Sequence, residues 1–383
     1  MRFLFLASRD WAHPEAAGGD FYLSQLARNL AKKGHGVVYL TAAFNGGPAL
    51  QRADNVEFRR IKPGTLYSVR LFLQFLTIRN SVDIIVEEVF GGKKIPAFAV
   101  LYSGKRLVAV WYQCHKRIFK EQYPAEIANL LSIGEKVLAL IYKGHPVVTL
   151  STKSALELKD LGISPARIGI VPSAALIESP KVDELPPFQN RDDSMIFIGK
   201  IRRYKRVDHA IVALRRILDS QRECRLIIAG NVAEDDIDYF SSLKELARGL
   251  GVDGLIDFIV YRGAIPPLDK VNLLQQCKIL VQPSPVEGFS MTAIEANGCG
   301  TPVVVSDGVP KDAVVHGGNG FVYPFGDVET MARYCKTLLD DQAIWEKLSF
   351  NGLEMANRFS WENSTRAFES FLESQGLWRQ NAD

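Results

Sequence analysis

The chain has 383 residues, 47% of them hydrophobic and 23% charged, with a formal net charge of +3. That length suggests two domains rather than one hydrophobic core of usual size, and the composition is that of a globular chain and excludes a disordered one. No apolar run approaches the roughly 18 residues of a membrane span: IPAFAVLYSG from Ile95 is too short and is followed by Lys105 and Arg106.

The start, MRFLFLASRDW, turns charged after eight residues and does not read as a signal peptide. Cys114, Cys224, Cys277, Cys299 and Cys335 are scattered and form no CxxC pair. They predict a reduced, cytoplasmic compartment and no cysteine metal site. Charge is uneven: residues 1–180 hold 23 Lys and Arg against 14 Asp and Glu, and the rest hold 23 against 29. Lys93, Lys94, Lys105, Arg106, Lys116, Arg117 and Lys120 crowd one basic stretch. It reads either as a solvated face or as a peripheral platform for an anionic membrane. No nucleic-acid-binding module accompanies it, so no nucleic-acid partner is expected.

In chain order, the apolar runs MRFLFLAS, GVVYLTA, VDIIVEEV, RLVAVWYQ and PVVTLS are separated by helical patterns such as FYLSQLARNLAKKG. This is the rhythm of a doubly wound parallel sheet. LYSVRLFLQFLTIRN from Leu66 reads as a core-facing amphipathic helix, and is also compatible with a membrane-proximal acceptor. The passage SPKVDELPPFQNRDDS is Pro-rich and polar, as a linker is. The rhythm then restarts with MIFIGK, CRLIIAGN, GLIDFIVYRG, CKILVQPS and TPVVVSD. Two Rossmann-like domains are expected, at residues 1–178 and 179–358, with a terminal helix within 359–383 packing back on the first. Such sheets bind ligands beyond the carboxyl ends of their strands.

The candidate chemistry lies at those strand ends. In PVEGFSMTAIEANGC, Glu287 and Glu295 flank a Gly288-Phe289-Ser290 turn that opens a helix at Met291, with Ser290 as its N-cap. A helix start of this kind faces a diphosphate, and a carboxylate such as Glu295 accepts hydroxyls from a ribose. In FIGKIRRYKR, Gly199 ends a strand, and Lys200 and Lys205 supply cations, with Arg202, Arg203 and Arg206 nearby. Gly18 and Gly19 stand in the first strand-to-helix turn, which is not a GxGxxG fingerprint and reads as a tight turn or a close approach to ligand. His115 follows the run LVAVWYQC, where an imidazole could meet a sugar hydroxyl. Arg262 and Gly263 follow IDFIVY. Asp235 and Asp236 read as a helix start, and no clustered Asp-x-Asp motif is seen in these elements, so no metal is expected.

Taken together, the chain resembles the retaining glycosyltransferases of the GT-B fold, family 4. The resemblance runs from AAGGDFYLSQLARNLAKKGHGVVYLT to FSWENSTRAFESFL and centres on the E-x7-E pair. It implies a nucleotide-sugar donor, UDP- or GDP-linked, and an acceptor hydroxyl on a glycan or lipid-linked molecule, without a cofactor. It further implies that Glu287 contacts the donor sugar and Glu295 the ribose. Lys200 and Lys205 would hold the diphosphate, His115 would lie near the sugar's far hydroxyls, Gly18 and Gly19 near the phosphates, and the backbone at Arg262 against the base. Departures are Lys200 where Arg is commoner, Lys205-Arg206 for Lys-Gly, Ser290 for Gly, and VPSAALIES before the linker. They keep open a non-catalytic sugar-nucleotide-binding protein, or another GT-B enzyme such as an epimerase or a pyridoxal-phosphate phosphorylase.

Overall fold

A computed structural model describes residues 1–64, 66–89, 98–104 and 106–378. Lys93, Lys94 and Lys105 of the basic stretch, and residues 379–383 of the expected terminal segment, lie outside them. The chain divides into two compact units, one of Met1–His115, Leu130–Ser173 and Ser360–Asp383, the other of Lys116–Asn129 and Ala174–Phe359.

The first unit contains β1 (Arg2–Leu6), α1 (Gly18–Lys32), β2 (Gly36–Ala42), β3 (Leu50–Ala53), β4 (Val56–Ile61), α2 (Tyr67–Ile78), β5 (Ile84–Glu88), α3 (Ala99–Tyr102) and β6 (Arg106–Val110). After α4 (Lys116–Gln122), which belongs to the second unit, come α5 (Ala125–Tyr142), whose residues as far as Asn129 also belong to the second unit, β7 (Val147–Thr149), α6 (Thr152–Asp160) and β8 (Ile168–Ile170). Among the described residues the strands form one sheet in the order β3-β4-β2-β1-β5-β6-β7-β8. It is parallel except for β3, which runs against β4. The first strand is buried on both faces, and this is why RFLFL reads as a continuous apolar run rather than an alternating one.

The second unit continues with β9 (Asp192–Ile198), α7 (Val207–Asp219), β10 (Arg225–Gly230), α8 (Ile237–Gly249), β11 (Ile256–Val260), α9 (Pro267–Gln276), β12 (Cys277–Gln282), α10 (Met291–Gly298), β13 (Val303–Ser306), β14 (Gly320–Tyr323), α11 (Val328–Asp340) and α12 (Gln342–Asn357). Its sheet has the order β11-β10-β9-β12-β13-β14, with every pairing parallel. Phe197, Leu214, Ile228, Val281 and Leu338 are in its core. The last helix, α13 (Trp361–Ser374), belongs to the first unit and packs on α1. There the Trp361 ring lies 6.0 Å from Tyr22, and Lys33 pairs with Glu369 at 2.5 Å.

Three details differ from the sequence reading. The division falls after Ser173 instead of 178, because Tyr22 Oη donates to Val171 O in the first unit while Leu176 N donates to Glu295 in the second. The expected linker is not all linker: β9 begins at Asp192, and the buried Arg191 donates to the carbonyls of Pro186, Leu274, Cys277 and Cys299 and to the Thr301 hydroxyl. The basic stretch is divided between the units, since Arg106 starts β6 of the first while Lys116, Arg117 and Lys120 are exposed on α4 of the second.

Candidate active site

In the second sheet the strand order reverses between β9 and β12. The crevice beyond the carboxyl ends of these two strands is the topological switch point, where open parallel sheets bind ligands. β9 leads into Gly199–Lys205 and β12 into Pro285–Ser290, so both candidate stretches of this unit leave neighbouring strands at that point.

Gly199 has φ +155°, and its carbonyl crosses Gly230 so closely that a Cβ on Gly230 would lie 1.7 Å from Gly199 O. Glycine at 230 therefore lets the loop pass over the neighbouring strand. Half-buried Lys200 follows directly, and Arg203–Lys205 form a short 3-10 turn that brings Lys205 inward. Lys205 Nζ sits 2.5 Å from Glu287 Oε1, with side chains only 16% and 12% exposed. Burial is the largest influence and by itself would lower the Lys205 pKa, but the Glu287 carboxylate and Tyr204 together outweigh it and hold the lysine above its usual value. The neighbouring arginines do not share this role: Arg202 pairs with Asp236, Arg206 with Asp208 and Glu121, and Arg203 lies over the Tyr239 ring.

The Glu287 loop is fixed from below. Glu287 N donates to Gly308 O, the Ser306 hydroxyl donates to Ser284 O, and Gly308 N donates to Ser306 Oγ. A Cβ on Gly308 would lie 2.3 Å from Ser284 O, so glycine at 308 is what lets the two loops approach. Gly288 and Phe289 are buried, and Phe289 packs edge-on against Phe359. Ser290 has φ +81°, a left-handed conformation that favours glycine. Its hydroxyl donates to Gln282 Oε1 and accepts from Ala293 N, so it caps α10. Half-buried Met291 opens that helix. The first backbone N–H groups of α10 and the positive end of its dipole are at the same switch point.

Glu295 lies on α10, four residues after its start. It is 1% exposed, its Oε2 accepts from Lys270 Nζ at 2.9 Å, and its Oε1 accepts from Leu176 N at 3.1 Å. Here it anchors the segment that opens the second unit. Arg262, after β11, is exposed, and Gly263 beside it has φ +103°. Asp236 directly precedes α8, and Arg202 holds its carboxylate.

Gly18, Gly19 and His115 belong to the first unit. Gly18 and Gly19 open α1 after β1, which adjoins the β1/β5 reversal of that sheet. Tyr112 Oη donates to Gly19 O, and a Cβ on Gly19 would lie 2.6 Å from the Tyr112 ring, so Gly19 has a packing reason to be glycine. His115 does not end β6 but lies beyond it; its backbone N–H donates to Glu135 Oε1 at 2.7 Å, and its ring Nδ1 is 3.3 Å from the same oxygen. Lys270, Gly308, Gly230 and Glu135 escaped the sequence reading because each acts on a loop or helix distant in sequence.

Among the described residues, no group of His, Cys, Asp and Glu could hold a metal ion. Residues 181–362 match the family model described as glycosyl transferases group 1. The chain is 24% identical, over 92% of its length, to a Nocardioides sp. protein named D-inositol 3-phosphate glycosyltransferase, 84% of which is covered. A relative of the same name from Kribbella flavida is 31% identical over 45% of this chain and 42% of its own length, so that match spans less than half of the relative. Among solved structures, sucrose-phosphate synthase from Thermosynechococcus elongatus aligns with a TM-score of 0.79 at 17% identity, covering 98% of this chain and 99% of that one. Anabaena Alr3699/HepE in complex with UDP-glucose aligns at 0.75 and 16% identity, covering 99% and 100%. The chain therefore has the GT-B fold, and its residues 181–362 match the group 1 glycosyl transferases.

Proposed function

We propose that the chain transfers a hexose-type sugar from a nucleotide diphosphate sugar to an acceptor hydroxyl, with retention at the anomeric carbon. One observation carries the reading: Lys205 and Glu287 meet, half-enclosed, beyond the ends of β9 and β12, beside the start of α10. Breaking the bond between anomeric carbon and phosphate leaves negative charge on the departing nucleoside diphosphate. Lys205, Lys200 and the N-terminus of α10 offset that charge where it develops. Glu287, held at its backbone by Gly308 O, orients the sugar, so catalysis rests on positioning and electrostatics. His115, Gly18 and Gly19 are the proposed contributions of the first unit to substrate binding, and the backbone at Arg262 and Gly263 is proposed to meet the base.

A UDP-linked donor is favoured by the relatives of known structure, since Anabaena Alr3699/HepE is described in complex with UDP-glucose and with UDP and glucose. The acceptor is proposed to be a glycan or lipid-linked hydroxyl in envelope or glycan synthesis on the cytoplasmic side. The proposed reaction needs no metal, because fixed cations and a helix dipole do the work a bound ion would do. Release of nucleoside diphosphate from UDP-, GDP- and ADP-sugars, with and without chelator, tests the donor class and the need for a metal, and the anomeric configuration of the product tests retention. Chelator-resistant turnover of one donor, lost in Glu287→Ala, is expected. Saturable donor binding with no turnover in the presence of candidate acceptors would assign a binding protein instead.

A further inference from the structure

Arg206 stands between the cation of the proposed site and the helix that follows it, and its backbone is left-handed, with φ +50° and ψ +46°. Lys205 ends the 3-10 turn of Arg203–Lys205, and Val207 opens α7. The chain therefore bends at one residue, and the bend decides where the Lys205 side chain goes. Left-handed backbone crowds the Cβ of any residue but glycine, and asparagine or aspartate can offset the crowding through a short polar side chain. Arginine has neither means. Of the departures noted in the sequence, Lys205-Arg206 for Lys-Gly falls at this bend. The backbone bonds that span it, from Arg206 N to Arg203 O and from His209 N to Arg206 O, are short-range, so its support comes from side chains.

The guanidinium supplies that support from three sides. Nε donates to both Asp208 carboxylate oxygens at 3.2 Å and Nη2 to Oδ2 at 2.9 Å, a fork that closes across the bend onto the first turn of α7. Asp208 is held in turn, since Tyr239 Oη on α8 donates to its Oδ1 at 2.9 Å. Nη1 donates to Glu121 Oε2 of α4 at 3.2 Å, and α4 packs against the Arg203–Lys205 turn itself. The third side is the Phe325 ring, beyond β14: Arg206 Cζ lies over it at 5.8 Å, and the His209 ring packs on it at 5.6 Å. Arg206, Asp208 and Glu121 are 27–29% exposed, so the network is partly shielded from water and salt. All of these residues belong to the second unit.

We propose that Arg206 is a positioning residue: its guanidinium, clamped on Asp208 and Glu121, holds the left-handed bend that delivers Lys205 to Glu287. Lys205 reaches Glu287 from the residue directly before the bend, so a change in the bend opens that contact. Arg206 acts through Lys205 alone and touches neither donor nor acceptor. The proposal rests on the reading of Lys205 and Glu287 as the donor site and adds to it the residue that aims the cation.

Arg206→Gly separates side chain from backbone. Glycine takes the left-handed bend without strain, so the variant folds, but it brings no guanidinium. The first readout needs no donor. The coupling between Lys205 and Glu287, measured by chemical denaturation of Lys205→Met, Glu287→Gln and the double variant, should fall to less than about half in the Arg206→Gly background. The second readout is turnover of UDP-glucose. Misplacing a reacting group by about 1 Å costs up to about a hundredfold. A bend loosened at one residue should lower kcat about tenfold while Lys205 is present, and less than about twofold in Lys205→Met, where no cation is left to aim. Arg206→Lys keeps the charge without the fork and should restore only part of each loss, and Glu121→Gln should move both readouts the same way and by less. Unchanged Lys205–Glu287 coupling in Arg206→Gly overturns the proposal, whether or not any donor turns over. An equal loss of turnover with and without Lys205 overturns it too, since a merely structural arginine would affect both backgrounds alike. A wild type that turns over no donor, together with a coupling that Arg206→Gly halves, would refute the reading of the site and leave the aiming of Lys205 by Arg206 in place.

Discussion

Replacing Lys205 by Met removes a cation that the structure uses twice, once to neutralise Glu287 and once, in the proposed reaction, to hold the departing diphosphate. A fully buried ion pair broken from one side costs about 3–5 kcal/mol and an exposed one about 0–1. With the two side chains 16% and 12% exposed, the loss for Lys205→Met falls between these limits, at about 2 kcal/mol. The contribution is present at neutral pH. Lys205 has its pKa raised from 10.5, so the pair is intact below that value and is lost only as pH rises through the higher folded value. Turnover should fall further than stability, by about a hundredfold or more, the usual result of removing one preorganised group from a developing negative charge. The double variant Lys205→Met/Glu287→Gln separates the two uses. Chemical denaturation should show it at least about 1 kcal/mol more stable than the sum of the single losses predicts, because no charge is left buried alone. Donor turnover, read as nucleoside diphosphate release, should stay lost. Strictly additive stability losses, or recovery of turnover in the double variant, would refute the reasoning.

Three further outcomes follow from the same geometry. Ser290→Ala keeps the left-handed backbone, loses the cap on α10 and strips Gln282 Oε1 of its donor; thermal unfolding should show a loss of about 2 kcal/mol, and a neutral result would contradict the hydrogen bonding described. Gly308→Ala places a methyl group 2.3 Å from Ser284 O, so it should destabilise by about 2 kcal/mol and, by shifting the loop that aims Glu287, reduce turnover about tenfold; unaltered kinetics would sever that link. Burial pushes the Glu87 carboxyl up to about 7 from 4.5, so the unfolded chain ionises first, wild-type stability falls between these values, and the penalty is complete above 7. Denaturation at pH 4 and pH 8 should show Glu87→Gln gaining about 2–3 kcal/mol on the wild type between the two conditions. A difference independent of pH would contradict that shift.

The fold was legible because, β3 apart, both sheets are parallel and their central strands are buried on both faces, so each of those strands announces itself as a short apolar run. β3 and β4 were not, since LQRA and VEFRRI carry charge on an edge of the sheet. β8 is only three residues long and has a glycine at its centre, where the Phe371 ring packs. The helical reading of LYSVRLFLQFLTIRN was half complete: Leu71 and Phe75 do face the core, but periodicity on one side gave no notice that the other side would stay apolar and uncovered. At the site, Ser290 was readable as a cap from its position alone. That Lys205 and Glu287 touch was not readable, because the contact depends on β9 and β12 being neighbours, and 78 residues and three helices separate the end of one strand from the start of the other. Lys270 on Glu295 was hidden for the same reason. A lysine early in an unremarkable helix has no local signature, and only the packing of α9 near α10 gives it a partner.

The account rests on a donor diphosphate seated beside Lys205 at the start of α10. Calorimetric titration of the wild type, Lys205→Met and Glu287→Ala with UDP, and then with UDP-glucose, tests this most directly. The expected result is that Lys205→Met weakens both ligands by a similar factor, since both carry the diphosphate, whereas Glu287→Ala weakens UDP-glucose alone. Undiminished UDP affinity in Lys205→Met, with a folded variant, would contradict the placement of the diphosphate.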